Sequence, residues 1–314
     1  MKIGIDVMGG DFAPHAIIDG ALLALNELPE NVTLVLFGDQ AQIEPLLTAA
    51  ASDRQRLEIV HASEVIEMGE HPAKAFSKKQ DSSIVKGFYM LQKGLIDAFA
   101  SAGNTGAMLV GAMYTVKSVP GIIRPAIAAP VPNPEGGVPT ILLDVGLNPD
   151  CKPDVLYQYG ILGTVYARDV YGLQNPKVGL LNIGSEEEKG NLLTKATYEA
   201  MKGSKDFNFI GNIEGTELLG VNKADVVVCD GFVGNVVLKQ TEAFYALIKK
   251  RNINDSFFEK LNFEYYGGTP ILGINAPVII GHGVSKGLAV KNMILHTKEV
   301  VEAKLSEKFK EIFK

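Results

Sequence analysis

The chain has 314 residues, of which 46% are hydrophobic and 21% are charged, and its formal net charge is −6. This length and composition predict a globular protein with one large α/β core or two lobes, and they argue against a disordered chain. The acidic balance argues against a general nucleic-acid-binding protein, because such proteins carry an excess of basic residues. We therefore expect no nucleic-acid partner.

Cysteine content and hydropathy bear on the cellular compartment. The two cysteines, Cys151 and Cys229, lie far apart and form neither a disulfide framework nor a zinc-ligand pattern. The first residues, MKIGIDVMGGD, turn to glycine and aspartate too early for a secretory signal, and no run of 18 or more apolar residues occurs. These features predict a cytoplasmic protein.

Short apolar runs that end in glycine alternate along the chain with longer amphipathic segments. The predicted strands are KIGIDVM (2–8), VTLVLFG (32–38), PTILLDVG (139–146), KVGLLNIG (177–184), ADVVVCDG (224–231) and APVIIGHG (276–283), and 13–28 is the first predicted helix. Such strands are typical of a parallel or mixed sheet that is covered by helices on both faces. Six prolines within 119–139 disfavour a helix there and predict a crossing between two lobes.

Small and polar residues follow the predicted strands at the ends where open α/β sheets bind ligands. They are Asp6, Gly9, Gly10, Asp11, Asp144, Asn212, Glu214, Asp230, Gly231, Asn235 and His282. Each one alone is consistent with an ordinary turn. Five or six such strand ends together predict a single lined cleft.

The segment Ser101–Ala107, SAGNTGA, precedes a helix-compatible stretch. Its glycines, Gly103 and Gly106, permit close approach of the backbone, and amides at a helix N-terminus attract anions. The segment lacks the P-loop lysine, the dinucleotide-binding glycine spacing and the G-x-S-x-G pattern of a serine nucleophile. It is either a plain strand–turn–helix junction or an anion cradle, to which Asn104 and Thr105 add polar side chains.

Several cationic residues have two possible roles. Lys189 in GSEEEKGN (184–191), which ends at Asn191, belongs either to a solvated helix start or to an anion site. Arg124 is either a surface charge or a phosphate clamp. Lys239 lies four residues after Asn235, on the same face of a helix.

Residues 241–263, TEAFYALIKKRNINDSFFEKLNF, have aromatic and aliphatic residues at helical spacing beside the basic cluster Lys249–Arg251. This amphipathic tip is either an ordinary surface helix pair or a peripheral contact with a membrane or a partner. Neither cysteine has basic neighbours that would activate it, so we expect no covalent nucleophile.

The motifs together resemble the bacterial fatty acyl-acyl carrier protein:phosphate acyltransferases, the PlsX family, over nearly the whole chain. The matching stretches include IDVMGGDFAP (5–14), SAGNTGA, RPA (124–126), LLDVG (142–146), LLNIGSEEEKGN (180–191), GNIEG (211–215) and DVVVCDGFVGNVVLK (225–239). The resemblance implies an α/β fold like that of isocitrate and isopropylmalate dehydrogenases and phosphotransacetylases, with a mostly parallel mixed sheet in two lobes. We expect lobe one at 1–120 and 276–314, lobe two at 121–275, and a cleft between them.

The resemblance also implies an activity and its partners. A homodimer would transfer a fatty acyl group from acyl carrier protein to inorganic phosphate. A membrane-bound glycerol-3-phosphate acyltransferase would use the product in phospholipid synthesis, so the enzyme would work in the cytoplasm and at the inner membrane face. No metal or other cofactor is expected.

The chemistry predicts direct displacement, because a thiolate leaves readily and phosphate is largely dianionic near neutral pH. The expected catalytic residues are Lys189, His282, Asn235 and Lys239. The expected substrate-binding residues are Asp6, Gly9, Gly10, Asp11, Ser101, Gly103, Asn104, Thr105, Gly106, Arg124, Asp144, Asn191, Asn212, Glu214, Asp230 and Gly231. The basic pairs or clusters Lys78–Lys79 and Lys249–Arg251 are candidate docking sites for the acidic acyl carrier protein.

Three positions depart from the family pattern. Leu147 stands where a small residue usually precedes Asn148, Gly281 replaces a serine before His282, and the tip looks short. The main alternative activity is that of a phosphotransacetylase that uses acyl-coenzyme A. A nicotinamide-dependent dehydrogenase lacks its fingerprint here, and the non-enzymatic alternative is a membrane-docked scaffold.

Overall fold

The secondary structure comes from a computed structural model that describes residues 1–50, 54–221 and 223–314. The strands are β1 Lys2–Asp6, β2 Thr33–Gly38, β3 Leu57–His61, β4 Ala98–Ser101, β5 Ala126–Val131, β6 Thr140–Leu143, β7 Lys177–Asn182, β8 Asn208–Glu214, β9 Val226–Val228, β10 Gly268–Leu272 and β11 Val278–Gly281.

The helices alternate with the strands along most of the chain. They are α1 His15–Leu25, α2 Gln40–Ala49, α3 Pro72–Lys78, α4 Ser83–Gln92, α5 Thr105–Val110, α6 Pro153–Tyr171, α7 Leu192–Met201, α8 Gly215–Gly220, α9 Gly231–Lys250, α10 Ser256–Glu259, α11 Phe263–Tyr266, α12 Gly287–Glu302 and α13 Leu305–Ile312. A π-helical segment, Gly111–Val116, continues α5. In the described ranges, no helix combines the length and the apolarity that a membrane span requires.

The chain forms two compact units. Unit 1 contains Met1–Ser118 and Phe263–Ser306, and unit 2 contains Val119–Asn262 and Glu307–Lys314. The lobe boundaries and the cleft that were expected from the sequence stay predictions.

The strands of unit 1 lie in the order β3-β2-β1-β4-β11-β10. All neighbouring pairs are parallel except β10 and β11, which are antiparallel. Buried aromatic rings hold α4 against the sheet: Phe99 meets Phe37 and Phe88 edge to face, at centroid distances of 5.7 and 5.2 Å. Because β1, β4 and β11 are parallel neighbours, the loops that follow them leave from one edge of the sheet.

The strands of unit 2 lie in the order β5-β6-β9-β7-β8. Only β5 and β6 are antiparallel. Helix α6 packs on this sheet with Tyr159 and Tyr166 fully buried, and Gly163 permits its close approach, since a Cβ there would lie 2.4 Å from Val226. One edge of this sheet is therefore formed by the carboxyl ends of the parallel strands β6, β9, β7 and β8. The residues before β5 lie at the same edge, because β5 runs in the opposite direction.

The six predicted strands are confirmed, and each observed strand lies inside its predicted segment. The proline-rich segment 119–139 contains no helix, as predicted, but it does contain β5, whose register pairs Pro130 with Ile141. A strand forms there because Ala126–Ala129 is free of proline and the fixed φ of Pro130 is close to that of an extended chain.

Candidate active site

Three loops of unit 1 follow the parallel strands β1, β4 and β11. The predicted site residues that end these strands or follow them are Asp6, Gly9, Gly10, Asp11, Ser101, Gly103, Asn104, Thr105, Gly106 and His282. The backbone amide of Asp11 donates to the Gly283 carbonyl at 2.8 Å. A Cβ on Gly10, whose φ is +104°, would lie 3.1 Å from the same oxygen. The structure thus brings the first and third loops into contact.

The first and second loops are joined by a buried carboxylate. The Ser101 hydroxyl donates to Asp6 Oδ2 at 2.6 Å and accepts from the Gly103 amide at 2.9 Å. Both side chains are buried, with exposures of 0% for Ser101 and 1% for Asp6. The sequence predicts that these side chains contact substrate, but their burial does not favour such a contact. Their contacts hold the two loops together, and the Ser101 hydroxyl has no access for nucleophilic attack.

Glycines allow the same two loops to touch through their backbones. A Cβ on Gly9 would lie 2.3 Å from Asp6 Oδ2 and 2.7 Å from the Gly103 nitrogen. No larger residue fits at position 9 unless one of the loops moves. Within SAGNTGA, Gly103 therefore has a packing role against Gly9, and the role of the segment in anion binding stays a prediction.

The Asn104 side chain is fully used by neighbouring protein groups. Its Oδ1 accepts from the Ala107 amide at 3.0 Å and caps α5, while its Nδ2 donates to the Glu67 carbonyl at 2.9 Å and the Glu70 carbonyl at 3.1 Å. Asn104 is buried, whereas Thr105 is exposed. Of the polar side chains expected in a cradle, only that of Thr105 is open to solvent.

His282 has its ring orientation set by two neighbours in unit 1. It stacks on Phe263 at a centroid distance of 4.6 Å and an interplanar angle of 25°. The Val284 amide donates to His282 Nδ1 at 3.4 Å. An acceptor role for Nδ1 places the proton of the neutral ring on Nε2. The imidazole is half-buried, and the catalytic role predicted for His282 stays a prediction.

Burial changes the pKa of the Asp6 carboxyl group and so makes the stability of the fold depend on pH. Desolvation raises its pKa above the ordinary 3.8, although hydrogen bonds from Ser101, Ser83 and two backbone amides oppose that effect. Because the folded pKa is the higher one, the contribution of Asp6 to stability is full below the unfolded pKa and is lost as the pH rises through the folded pKa.

We therefore expect Asp6→Asn to gain stability relative to the wild type as the pH rises from about 4 towards neutrality. Melting temperatures of both proteins, measured across that range, test this. Asp19→Asn removes an exposed carboxylate of the same unit and serves as the control. A constant difference between Asp6→Asn and the wild type at every pH would contradict the expectation.

The shared edge of unit 2 carries the remaining predicted residues. They are Arg124, Asp144, Lys189, Asn191, Asn212, Glu214, Asp230, Gly231, Asn235 and Lys239. The structure brings Asp144 close to Gly231, where a Cβ would lie 2.7 Å from Asp144 Oδ2. It also places Asn235 Nδ2 3.4 Å from the Val145 carbonyl. The loop after β6 therefore contacts the start of α9.

The Asp144 carboxylate is surrounded by donors. It accepts from the amides of Ile127 (3.0 Å), Leu147 (3.2 Å) and Asn148 (2.6 Å), and also from Asn148 Nδ2 (3.2 Å). The side chain is fully buried, and desolvation raises its pKa. Asp144 is predicted from the sequence to bind substrate, but its contacts describe a support for the loop.

The loop that carries Lys189 is fixed by two asparagines. Asn182 Nδ2 donates to the Lys189 carbonyl at 3.1 Å and to Asn212 Oδ1 at 3.0 Å, and Asn212 Nδ2 donates to the Glu186 carbonyl at 2.8 Å. The aliphatic part of Lys189 lies against Gly184, where a Cβ would be 2.8 Å from Lys189 Cγ. The ammonium group has no ion-pair partner in the part of the chain that the structure describes.

Three predicted binding residues cap helices. Asn191 accepts from the Thr194 amide and begins α7, Asp230 accepts from the Val233 amide and begins α9, and Glu214 forms a capping box at α8. Lys239 is exposed and pairs with Glu242 at 2.8 Å. These contacts give each residue a structural role, and their roles in substrate binding or catalysis stay predictions.

The two cysteines are poor nucleophiles. Burial raises the pKa of Cys151 to about 11 and raises that of the buried Cys229 well above its usual value. Thiols of this kind stay protonated near neutral pH. In the described ranges, no group of three or more histidine, cysteine or acidic side chains is placed to hold a metal ion.

Sequence reasoning missed Phe263, Tyr159 and the importance of Asn148. The sequence places Phe263 only in the amphipathic tip, and Tyr159 lies in a helix whose apolar spacing suggests ordinary core. Leu147 makes a role for Asn148 less secure in the sequence, although the place of Asn148 after a strand end is the available signal.

Solved structures with a similar fold include phosphotransacetylases. A phosphotransacetylase from Streptococcus pyogenes superimposes with a TM-score of 0.66 over 96% of this chain and 94% of that chain, at 16% identity. A branched-chain phosphotransacylase from Enterococcus faecalis gives 0.64 over 96% and 99%, at 15% identity. This similarity establishes the predicted phosphotransacetylase-like α/β fold.

Similarity to proteins of known family identifies the family of this chain. A family model described as fatty acid synthesis protein matches residues 1–251. A phosphate acyltransferase of Desulfitobacterium hafniense is 44% identical over 330 residues, covering 99% of this chain and 97% of its own length. One from Dictyoglomus turgidum is 41% identical with the same coverage. The chain belongs to the phosphate acyltransferase family and is an acyltransferase.

Proposed function

We propose that the chain transfers a fatty acyl group from acyl carrier protein to inorganic phosphate, and that the acyl phosphate serves phospholipid synthesis. The observation that carries the proposal is the charge pattern at the shared edge of unit 2. Arg124 and Lys189 are exposed there and form no ion pair with any described residue, while the Asp144 carboxylate is enclosed by donors. Two cations without ion-pair partners are groups that can bind a phosphate dianion.

The reaction follows from the chemistry of the two substrates. A phosphate oxygen forms a bond to the thioester carbonyl carbon, the carbon–sulfur bond breaks, and the thiolate leaves and takes a proton from water. The barrier is electrostatic, because an anion must approach a carbonyl group whose oxygen itself develops negative charge. Arg124 and Lys189 lower that barrier by holding the phosphate and neutralising part of its charge.

Other residues have smaller proposed roles. Asn235 Nδ2 is a neutral donor beside the loop after β6, and Lys239 contributes positive field that its pairing with Glu242 reduces. The roles predicted from the sequence for His282 and for the amides of Asn104–Gly106, which lie in unit 1, stay predictions. Covalent capture of an acyl group on Ser101 or on either cysteine would contradict direct displacement.

The partner proposal rests on exposed basic residues. Of the two basic docking candidates, Lys79 pairs with Glu70 at 2.6 Å and Lys249 pairs with Glu259 at 2.8 Å. Lys78 and the pair Lys250–Arg251 form no ion pair with a described residue and are the better candidates for docking acidic acyl carrier protein. If neutralising them leaves the KM for acyl carrier protein unchanged, docking occurs elsewhere.

The membrane proposal rests on the amphipathic tip. Phe244, Leu247 and Ile253 are 53%, 51% and 47% exposed there. We propose that this face meets the inner membrane surface near the glycerol-3-phosphate acyltransferase. Co-sedimentation with anionic vesicles tests this contact, and absence of vesicle binding would overturn it.

We also propose that the enzyme is a cytoplasmic homodimer. Light scattering tests the oligomeric state, and a monomeric mass would overturn the dimer.

The decisive test of function is an assay of the purified chain with acyl-acyl carrier protein and inorganic phosphate. We expect acyl phosphate to form, to be trapped as a hydroxamate, and to increase with the concentration of each substrate. A second reaction replaces the donor by acyl-coenzyme A, and turnover with that donor alone would favour a phosphotransacetylase. No acyl phosphate with either donor would reject the proposal.

A further inference from the structure

Asn148 is a buried amide whose polar atoms all have protein partners. It is 4% exposed. Its Nδ2, which carries two hydrogens, lies within hydrogen-bonding distance of three acceptors: the Pro125 carbonyl at 2.7 Å, the Tyr159 hydroxyl oxygen at 2.8 Å and Asp144 Oδ2 at 3.2 Å. Its Oδ1 accepts from Arg124 Nη1 at 3.4 Å. The residue links the segment before β5, the loop after β6 and helix α6 within unit 2.

These partners fix the orientation of the amide. A flipped amide would place Oδ1 against the Pro125 carbonyl and the Asp144 carboxylate, where like partial charges repel, and would leave three buried acceptors without this donor. The amide nitrogen must therefore face inward. Oδ1 consequently faces the Arg124 guanidinium.

The acceptor that Arg124 meets is neutral. A carboxylate at the same place would neutralise the guanidinium, as an Arg–carboxylate pair does. The amide instead separates the Asp144 charge from Arg124 and restrains one Nη1 hydrogen. The other guanidinium donors and the full positive charge remain available for an anion.

We propose that Asn148 is a positioning residue that holds Arg124 for the anionic acyl acceptor. The inference rests on the proposed function, in which Arg124 binds phosphate. Asn148 does not itself touch the substrate. Its removal should affect phosphate more than the acyl donor, and only when Arg124 is present.

The test is a double-mutant cycle of Asn148→Ala and Arg124→Ala, with KM and kcat measured separately for phosphate and for the acyl donor. We expect Asn148→Ala to raise the phosphate KM about 3- to 10-fold, as loss of one hydrogen bond would. The KM for the acyl donor should change less than about 2-fold, and Asn148→Ala should add little in the Arg124→Ala background. If Asn148→Ala does not fold, Asn148→Ser takes its place in the cycle.

The outcomes separate the inference from the proposed function. Two results with an active wild type would overturn the positioning role. In the first, Asn148→Ala has its full effect on the phosphate KM in the Arg124→Ala background. In the second, Asn148→Ala changes the KM for phosphate and the KM for the acyl donor equally. An Arg124→Ala enzyme with an unchanged phosphate KM would overturn the function proposed for Arg124, and the inference with it. Tyr159→Phe supplies a milder check: it removes one acceptor of Nδ2 and should shift the phosphate KM in the same direction by a smaller factor.

Discussion

Lys189→Ala is expected to raise the KM for inorganic phosphate or lower kcat by about 10- to 150-fold in total, which corresponds to the loss of one charge-assisted hydrogen bond of about 1.5–3 kcal/mol. The side chain is exposed, has no acidic partner among the described residues and lies against Gly184 on a loop fixed by Asn182 and Asn212. Its backbone is thus held near the sheet edge, and its ammonium group forms no ion pair with a described residue. Steady-state kinetics with varied phosphate measure the effect.

The matched control for this variant is Lys195→Ala. Lys195 is an exposed lysine on the neighbouring helix α7 and, like Lys189, has no ion-pair partner in the described ranges. Its removal changes the net charge equally and should leave the kinetics within about 2-fold, because exposed charges are screened. If Lys189→Ala behaves like Lys195→Ala, Lys189 belongs to a solvated helix start and not to the anion site.

Gly9→Ala is expected to lower the free energy of unfolding by about 1–3 kcal/mol, the usual cost of overpacking. It is also expected to lower acyl phosphate formation about 100-fold, as displacement of site groups by about 1 Å can. The added Cβ would lie 2.3 Å from Asp6 Oδ2 and 2.8 Å from Gly103 Cα. One of the two loops must therefore move away from the other. Thermal unfolding and turnover of the same preparation measure both effects.

Gly69→Ala is the control for that variant. Gly69 is an exposed loop residue of unit 1, and a Cβ there would meet no atom within 4 Å. We expect its melting temperature and its turnover to match the wild type. Equal behaviour of the two glycine variants would show that the contact between the loops is not required for activity.

The fold was largely predictable because its strands are buried on both faces. Runs such as VTLVLFG and KVGLLNIG have no polar alternation, and each ends in glycine where the chain turns. The carboxyl edge of such a sheet is a predictable place for a site, so the sequence could name candidates such as Lys189 and His282, whose roles stay predictions. Strand β5 could not be predicted from the sequence, because the prolines around it suggested an irregular crossing.

The contacts of individual side chains were not predictable. Asp6 and Ser101 are distant in sequence, yet they form one buried hydrogen bond that joins two loops. Asn104 reads as an open polar residue of a turn, but its amide is used by the carbonyls of residues 67–70. Only the packing of distant segments determines which polar groups are consumed internally.

By itself, the sequence determined the alternation of strands and helices, the edge at which polar residues gather, and membership of a family through motifs in a fixed order. These properties follow from local composition and from the geometry of parallel strands. The tertiary structure alone decided which polar residues at that edge are exposed and which are buried. It encloses Asp144 and Asn148 and leaves Arg124 and Lys189 exposed, because hydrogen-bond partners come from segments that only the fold brings together.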